Sequence, residues 1–321
     1  MRPVLLAAAL VAGCAVAAAQ PRTQTAYDLV RLDVSARSAA LAGPAALAGD
    51  PAAAFANPAL LTPAASGAVA LGYTNLVADV NAGSVAYARD VGLFGGLSVL
   101  GAVRYLSFGD FERRDEIGGD ATGTFSANEA AVTLAASREV LPRFRVGLAG
   151  HALFASLDDA GSSAVAADAG LSYTVEEQGL RLGASVHHVG AVLSSLGATA
   201  DRLPLDVRLT VAKRLRYVPL TVSVAGIDLH RFEGAASDSS FANRVFDHLA
   251  VGGEFQLGQT FAVRAGYNGR RGADFRSGGR LDLAGVSVGA GVTLRRVSVD
   301  YAFQNWGDFG GTHQFGIRTR L

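Results

Sequence analysis

The chain has 321 residues, of which only 17% are charged, and its 28 basic and 28 acidic residues give no reason to expect nucleic acid as a partner. The mean hydropathy of +0.28 is too high for a disordered chain. Beyond the N-terminus no window approaches ~18 uninterrupted apolar residues, so transmembrane helices are not expected. An apolar chain with 39 glycines and no spanning helix is typical of a membrane β-barrel.

Residues 1–19 have the pattern of a cleaved signal peptide for export. Arg2 supplies the positive charge, residues 4–16 form the apolar stretch, and three alanines precede Gln20 as a cleavage site. The sole cysteine, Cys14, lies in LVAGC, which resembles a lipoprotein box and leaves lipidation as an alternative. We interpret Cys14 as part of the discarded signal, because the apolar run before it is only about as long as the shortest such region. The exported chain then has no disulfide and no thiolate site.

Residues 20–67 match no strand pattern. They are rich in alanine and carry Asp, Arg and Pro residues, and they include the stretch DPAAAFANPALL at 50–61. The pair Asn57-Pro58 predicts a turn. Ahead of a barrel, such a segment would either enter the lumen as a plug or remain in the periplasm.

From residue 68 onward, apolar residues alternate with small or polar ones. In residues 296–304, for example, Val297 and Val299 share one face while Ser298 and Asp300 share the other. About fourteen segments show this pattern, each close to the ~9–11 residues that a tilted strand needs to cross a bilayer. They lie at 68–76, 82–90, 96–106, 125–138, 143–155, 164–175, 179–190, 204–214, 219–230, 247–257, 259–268, 284–294, 296–304 and 312–321. The predicted fold is therefore all-β, a transmembrane up-and-down antiparallel β-barrel over residues 68–321.

The connections between these segments alternate in length. Those after odd-numbered segments are long and polar, at 107–124, 156–163, 191–203, 231–246, 269–283 and 305–311, with 77–81 as a short exception. Those after even-numbered segments are short, as at 139–142, 176–178, 215–218 and Gly258. Bacterial outer-membrane barrels have short periplasmic turns and longer outer loops. A soluble sandwich or propeller has no reason to alternate in this way.

Charged residues within the strands fall on the small and polar face, which a barrel turns toward its lumen. A charge on the lipid face would cost about 2–4 kcal/mol at the bilayer midplane. The predicted lumen-facing charges are Arg104, Asp168, Arg181, Asp206, Arg208, Glu254, Arg264 and Asp300. Such a set could conduct ions, or it could form a network of opposite charges that closes a narrow barrel.

Motifs for catalysis and metal binding give little support to an enzyme. GVSVG at 285–289 matches a nucleophile elbow followed by Asp300 and His313, but Ser287 lies in mid-strand instead of at a sharp turn. Of the six histidines, only His187 and His188 are adjacent, and neighbours on a strand point to opposite faces. The others are scattered, at His151, His230, His248 and His313. We predict no catalytic residue, no metal site and no cofactor, since phosphate-loop and dinucleotide motifs are also missing from the sequence.

One stretch resembles a known family. Residues 35–61, SARSAALAGPAALAGDPAAAFANPALL, resemble the N-terminal signature of the PorV/PorQ family, relatives of FadL-type barrels. Further segments resemble the PorQ branch in matching order, at 109–131, 158–173, 203–220, 246–255 and 263–271, whereas ALAG at 40–43 departs from the usual ALGG. The resemblance implies that residues 20–67 form an N-terminal hatch, with Phe55, Asn57, Pro58 and Ala59 as its motif.

The resemblance also implies a role. Members of this branch are non-enzymatic outer-membrane barrels of the type IX secretion system, in a cell-surface attachment complex with PorU and PorV. The chain would anchor a PorZ-like surface protein and contact outer-membrane lipid, with connections 107–124, 231–246 and 269–283 as the docking face. The alternative is a FadL-like channel that carries hydrophobic or small solutes across the outer membrane. A lipase acting through Ser287 is a third possibility.

Overall fold

Fourteen antiparallel strands close into a single barrel in the computed structural model, which describes residues 27–45, 47–92, 96–114, 119–197, 201–232, 240–276 and 282–321. Each strand pairs with its neighbours in sequence, and β1 pairs with β14. The strands are β1 (Ala68–Asn75), β2 (Asn81–Asp90), β3 (Leu97–Arg114), β4 (Ala121–Leu141), β5 (Phe144–Leu157), β6 (Ala160–Val175), β7 (Leu180–Ser194), β8 (Asp206–Arg214), β9 (Leu220–Gly226), β10 (Leu249–Leu257), β11 (Phe261–Asn268), β12 (Val286–Leu294), β13 (Val297–Asn305) and β14 (Gly311–Arg320). The predicted fold class and strand number are confirmed.

Closure depends on the register between the first and last strands. Ala68 of β1 lies opposite Arg320 of β14, and Asn75 lies opposite His313. This pairing leaves the sheet with no open edge, as lipid requires because it offers no hydrogen-bond partner to backbone groups. None of the helices in the described ranges is long and apolar enough to cross a membrane.

The two faces of the wall differ as period two predicts. Along β13 the buried positions are Ser298, Asp300, Ala302 and Gln304, whereas Val297 and Val299 between them are exposed. The exposed outer face is apolar over the whole ring, and its members include Leu71, Val103, Leu134, Leu148, Val165, Leu209, Val251, Val263, Val288 and Ile317. An exposed apolar belt of this extent is unlike a soluble surface. It fits contact with acyl chains.

A charge placed on this belt should be costly. Leu148 is the fifth of the fourteen residues of β5 and has 66% of its surface exposed. Leu148→Arg is expected to lower the free energy of unfolding by about 2–4 kcal/mol, the cost of a basic residue at the midplane. Urea unfolding in lipid vesicles measures this. Tyr217→Arg, in the turn between β8 and β9 at 89% exposure, is the control and should change nothing measurable. Equal stability of the two variants would contradict lipid contact at Leu148.

The predicted long connections are only partly correct. Most of 107–124 and of 156–163 is strand, because β3 and β4 continue pairing to Arg114 and Ala121 and β5 and β6 meet at a two-residue turn. Polar side chains sustain the extension: Arg113 forms an ion pair with Asp158 across β4, and the rings of Phe111 and Phe125 stack 5.4 Å apart. Connections 231–246 and 269–283 contain the short helices Phe241–Asp247 and Gly269–Asp274. We call the end with the connections after odd-numbered strands the outer end.

Residues 27–45 and 47–66 lie inside the ring, and we call them the internal segment. It comprises the helix Ala36–Ala40 and short 3₁₀ turns at Asp28–Arg31, Pro51–Phe55, Pro58–Leu60 and Pro63–Ala65. The helix contacts β11 to β14, whereas the turn Pro58–Leu60 contacts β4 to β6 on the opposite side of the ring. The segment therefore crosses the lumen. The predicted signal peptide (1–19, with Cys14) and residues 20–26 lie outside the described residues.

Candidate functional site

Asn57 fixes the internal segment to the wall. Its side chain is 1% exposed, and its Oδ1 accepts a hydrogen bond from the Ala59 amide at 2.8 Å, which caps the turn Pro58–Leu60. Its Nδ2 donates to the carbonyl oxygens of Leu171 in β6 at 3.0 Å and Ala184 in β7 at 3.3 Å. One side chain thus holds the turn and ties it to two strands.

Two glycines make room for this turn. Gly147 in β5 and Gly170 in β6 are partners in the strand register. A Cβ atom at Gly147 would overlap the backbone of Pro58 and Ala59, and one at Gly170 would overlap the Asn57 side chain. The wall is therefore shaped for the turn at these positions.

The other motif residues predicted from the resemblance also lie within the ring. Pro58 and Ala59 are buried, and the half-buried Phe55 ring lies 4.7 Å from the guanidinium carbon of Arg104. Leu60 and Leu61 are almost fully buried and face β2 to β6 from inside. All four predicted motif residues thus lie in one turn-rich layer of the lumen, toward the end opposite the outer end.

The predicted lumen charges are all on the inner face, and most of them belong to two groups. The first is on β10 to β13: both Glu254 carboxylate oxygens accept from Arg37 of the internal segment at 2.6 Å. Glu254 also accepts from Arg264 at 2.7 Å, and Arg264 donates to Asp300 at 2.6 Å. This chain of alternating charges fastens the helix Ala36–Ala40 to the wall.

The second group is on β3 to β8. Asp206 pairs with Arg208 and also accepts from the Asp228 amide at 2.8 Å. Arg104 donates to the Leu29 carbonyl oxygen at 3.4 Å and has no ion-pair partner among the described residues. Arg181 of β7 donates through its Nε to the Thr174 hydroxyl of β6 at 3.2 Å.

A cluster of histidines beside Asp168 was not predicted. A β-bulge sets His187 and His188 of β7 opposite the single residue Asp168 of β6, and His188 takes a φ of 59°. Both side chains are consequently buried, at 0% and 5% exposure, and His151 of β5 joins them. The prediction that His187 and His188 point to opposite faces is wrong here, because an inserted residue breaks period two. No sequence pattern signals that insertion.

An open cavity of about 1420 Å³ lies above the internal segment, toward the outer end. One wall is apolar, with Leu106 fully buried in a cluster to which Leu76, Val80, Phe108, Val192 and Leu203 add their side chains. Another part of the lining is charged and includes Asp206, Arg208, Asp228, His230, Arg231, Arg270, Arg271 and Asp274. The cavity is therefore amphipathic.

Burial reduces the charge of two residues in the charged part of the lining, Asp228 and His230. It raises the pKa of the Asp228 carboxyl, and the Asp206 carboxylate nearby raises it further. Burial also lowers the pKa of the His230 imidazole. In both residues the uncharged form is favoured.

Ser287 does not meet the other two residues of the nucleophile-elbow pattern. It is fully buried on the lumen face of β12, where Arg271 donates to its hydroxyl at 3.4 Å. His313 is exposed on the outer face and pairs with the Tyr301 hydroxyl at 2.8 Å, while Asp300 is bonded to Arg264. A relay from Asp300 through His313 to Ser287 is therefore not assembled.

Comparison with solved structures finds the same architecture elsewhere. The Ralstonia pickettii toluene transporter TbuX gives a TM-score of 0.52 at 13% identity, covering 85% of this chain and 94% of that one. The deltaS2S3 mutant of the TodX monoaromatic hydrocarbon channel gives 0.54 at 11%, covering 85% and 95%. A Pseudomonas aeruginosa FadL homologue gives 0.44 at 12%, covering 86% and 92%. The first two show a shared fold.

Neither sequence comparison identifies a relative. No family model matches the chain. No curated protein matches it.

Proposed function

We propose that this chain is an outer-membrane channel for small, largely apolar solutes. The observation that carries the proposal is the closed barrel with a large cavity at its outer end, floored by an inserted segment instead of by the wall. The shared fold with TbuX and TodX, whose names describe a toluene transporter and a monoaromatic hydrocarbon channel, supports it.

The cavity suits such a solute. Its volume exceeds the roughly 300–1,000 Å³ of ordinary small-molecule sites, so it leaves room for a solute with its hydration water. Leu106, Phe108 and Val192 offer apolar contact to a solute, while the charged part of the lining keeps water in the cavity. Apolar burial stabilises a bound solute by about 25 cal/mol for each Å² removed from water.

A solute can pass from the cavity to the other end of the barrel only if the internal segment moves. The wall strands are joined by backbone hydrogen-bond ladders, whereas the internal segment is fastened by side-chain hydrogen bonds and ion pairs, among them those of Asn57, Arg37 and Asp50. Asp50 lies 3.4 Å from Arg318 of β14. A shift of the segment therefore breaks side-chain contacts and leaves the backbone ladders of the wall intact.

Uptake measurements with two neighbouring variants test the proposal. Val192→Arg places a charge on the apolar wall of the cavity, whereas Leu193→Arg places it on the exposed face near the outer end of β7, where the cost falls to about 0–1 kcal/mol. We expect cells that contain the wild-type chain or Leu193→Arg to take up a small radiolabelled aromatic hydrocarbon several-fold faster than cells without it, and Val192→Arg to lose this gain. Equal uptake with and without the chain would refute the channel.

A second candidate function is membrane anchoring of a surface protein. The paired extension of β3 and β4 beyond the belt favours it, since this hairpin presents the stacked Phe111 and Phe125 at its far end. In this role the chain, itself non-enzymatic, would hold a PorZ-like partner in a complex with PorU and PorV. Residues 115–118, 233–239 and 277–281 of the predicted docking loops lie outside the described residues.

Partner capture distinguishes anchoring from transport. Affinity purification from native outer membranes should recover a surface protein with the wild-type chain, and less of it with Phe111→Ser. A matched variant, Phe154→Ser, removes an exposed aromatic ring from the outer face of β5 and should retain the partner. Recovery of equal amounts of partner with all three chains, or of none, would count against anchoring through this hairpin.

A further inference from the structure

We propose that His151, Asp168, His187 and His188 form a binding site for a divalent transition metal, with Zn²⁺ as the representative ion. The four residues come from three adjacent strands and are all buried. Asp168, His187 and His188 each place one ligand atom such that the three lie within 4.8 Å of one another. His151 Nε2 lies 3.0 Å from the Asp168 Oδ2 atom, and His187 Nδ1 lies 2.9 Å from the same atom.

These separations are close to those of a metal site. Four ligands at about 2.0–2.1 Å from a tetrahedral Zn²⁺ lie about 3.3 Å from one another. The His188 ring centroid lies 5.9 Å from that of His151 and 5.8 Å from that of His187, so the rings surround the Asp168 carboxylate. Small side-chain rotations would bring all four ligand atoms to one ion.

The second ring nitrogen of each histidine is also hydrogen-bonded. The ring nitrogen that faces away from Asp168 is Nδ1 in His151 and Nε2 in His187. His151 Nδ1 hydrogen-bonds to the Thr133 hydroxyl at 2.9 Å, and His187 Nε2 hydrogen-bonds to the Ser185 hydroxyl at 2.8 Å. His188 Nδ1 donates to the Pro204 carbonyl oxygen at 3.0 Å, which leaves its Nε2 lone pair as a ligand. Metal-binding histidines characteristically use the second nitrogen in this way, and the partner fixes the ring and its tautomer.

Binding needs no loss of a proton from either ring that faces the Asp168 Oδ2 atom. His187 Nδ1 hydrogen-bonds to this oxygen, whereas His151 Nε2 lies 3.0 Å from it and is buried with no hydrogen-bond partner among the residues that the structure describes. A hydroxyl accepts as well as donates a hydrogen bond. The ring proton can therefore reside on His187 Nε2 and on His151 Nδ1, where the Ser185 and Thr133 hydroxyls accept a hydrogen bond from it. His187 Nδ1 and His151 Nε2 are then free to bind the ion.

The set of donor atoms and the surrounding charge select the class of metal. Three imidazoles and one carboxylate suit Zn²⁺, Cu²⁺ or Ni²⁺ better than Ca²⁺ or Mg²⁺, which prefer oxygen ligands. The positive charge of Arg104 interacts with Asp168 and would repel a metal cation. A cation attracted only by the Asp168 charge would therefore bind weakly, so binding depends on coordination by the imidazoles. With four protein ligands the site is closed, and an ion there would join β5, β6 and β7.

Direct metal measurements on the whole chain test the site. The protein, purified in detergent with a tag that contains no histidine and stripped with a chelator, is titrated with Zn²⁺ in competition with a coloured chelator. We expect one Zn²⁺ per chain and an unfolding temperature that rises with Zn²⁺ concentration, as ligand binding to the folded state requires. A wild-type chain that binds well under one equivalent would overturn the proposal in favour of a hydrogen-bonded network alone.

Variants locate the ion. Asp168→Asn and His188→Gln should each weaken Zn²⁺ binding by more than tenfold, and Thr133→Val, which only removes the support of His151, by about tenfold. His313→Gln changes an exposed histidine outside the cluster and should bind as the wild type does. Binding that is unchanged by Asp168→Asn, or weakened equally by His313→Gln, would overturn the assignment. If the ligand variants fail to assemble, the near-isosteric Thr133→Val still decides.

Discussion

Gly147→Leu is expected to raise the conductance of the purified barrel by about 5- to 150-fold, because the leucine side chain occupies the space in which the internal segment is seated. Overpacking costs about 1–3 kcal/mol, and this energy changes the ratio of unseated to seated segments by that factor. The overlap would fall on backbone atoms of Pro58 and Ala59, which cannot rotate away as a side chain can. Single-channel recording in planar bilayers measures the change.

Gly150→Leu is the matched control. It lies three residues further along β5, on the exposed face, where an added Cβ atom meets nothing within 4 Å. Its conductance should equal that of the wild type. If Gly147→Leu also behaves like the wild type while it folds, the turn at Pro58 does not limit flow. Partner capture by the same variant should be unchanged, so this result separates transport from anchoring.

Glu254→Gln is expected to lower the free energy of unfolding by about 3–5 kcal/mol, as the removal of one partner from a buried ion pair does. The amide keeps the volume of the carboxylate, so the cost arises from charge and not from a cavity. Arg37 loses its bidentate partner, and Arg264 retains only Asp300. Urea unfolding in lipid vesicles, followed by the fluorescence of the sole tryptophan, Trp306, measures the loss.

An exposed pair provides the comparison for this prediction. Arg143 and Glu177 pair at 2.5 Å in neighbouring turns at the end opposite the outer end, where water screens the charges. Glu177→Gln should therefore leave unfolding unchanged. Equal unfolding curves for Glu254→Gln and the wild type would mean that the charges on β10 to β13 do not hold the internal segment.

Most of the barrel could be predicted from the sequence because lipid and lumen impose opposite demands on alternate residues. Val297 and Ser298 show the contrast directly, and the same contrast recurs in β5, where Leu148 is exposed and Ala149 is buried. It fades where β3 and β4 leave the belt, since both faces of residues 111–114 and 121–124 are exposed to water. The sequence pattern therefore predicts a loop where the two strands continue.

The candidate site was harder to predict. Phe55, Asn57, Pro58 and Ala59 were identified by resemblance, and the lumen charges by their strand face, but the partners of each charge depend on the path of the internal segment. Arg37, which joins Glu254, gives no sign of this role in its local sequence. The grouping of His151 with His187 and His188 depends on register and on a bulge, neither of which period two reveals.

The pairing of Ala68 with Arg320 has a consequence for the order of folding. These residues lie at opposite ends of the barrel sequence, so their contact has the largest loop-closure entropy of any in the wall and should form last. The internal segment already reaches from β11–β14 to β4–β6, and a closed ring offers no gap through which it could enter sideways. The strands would therefore assemble around the segment, which acts as a template while the sheet is still open.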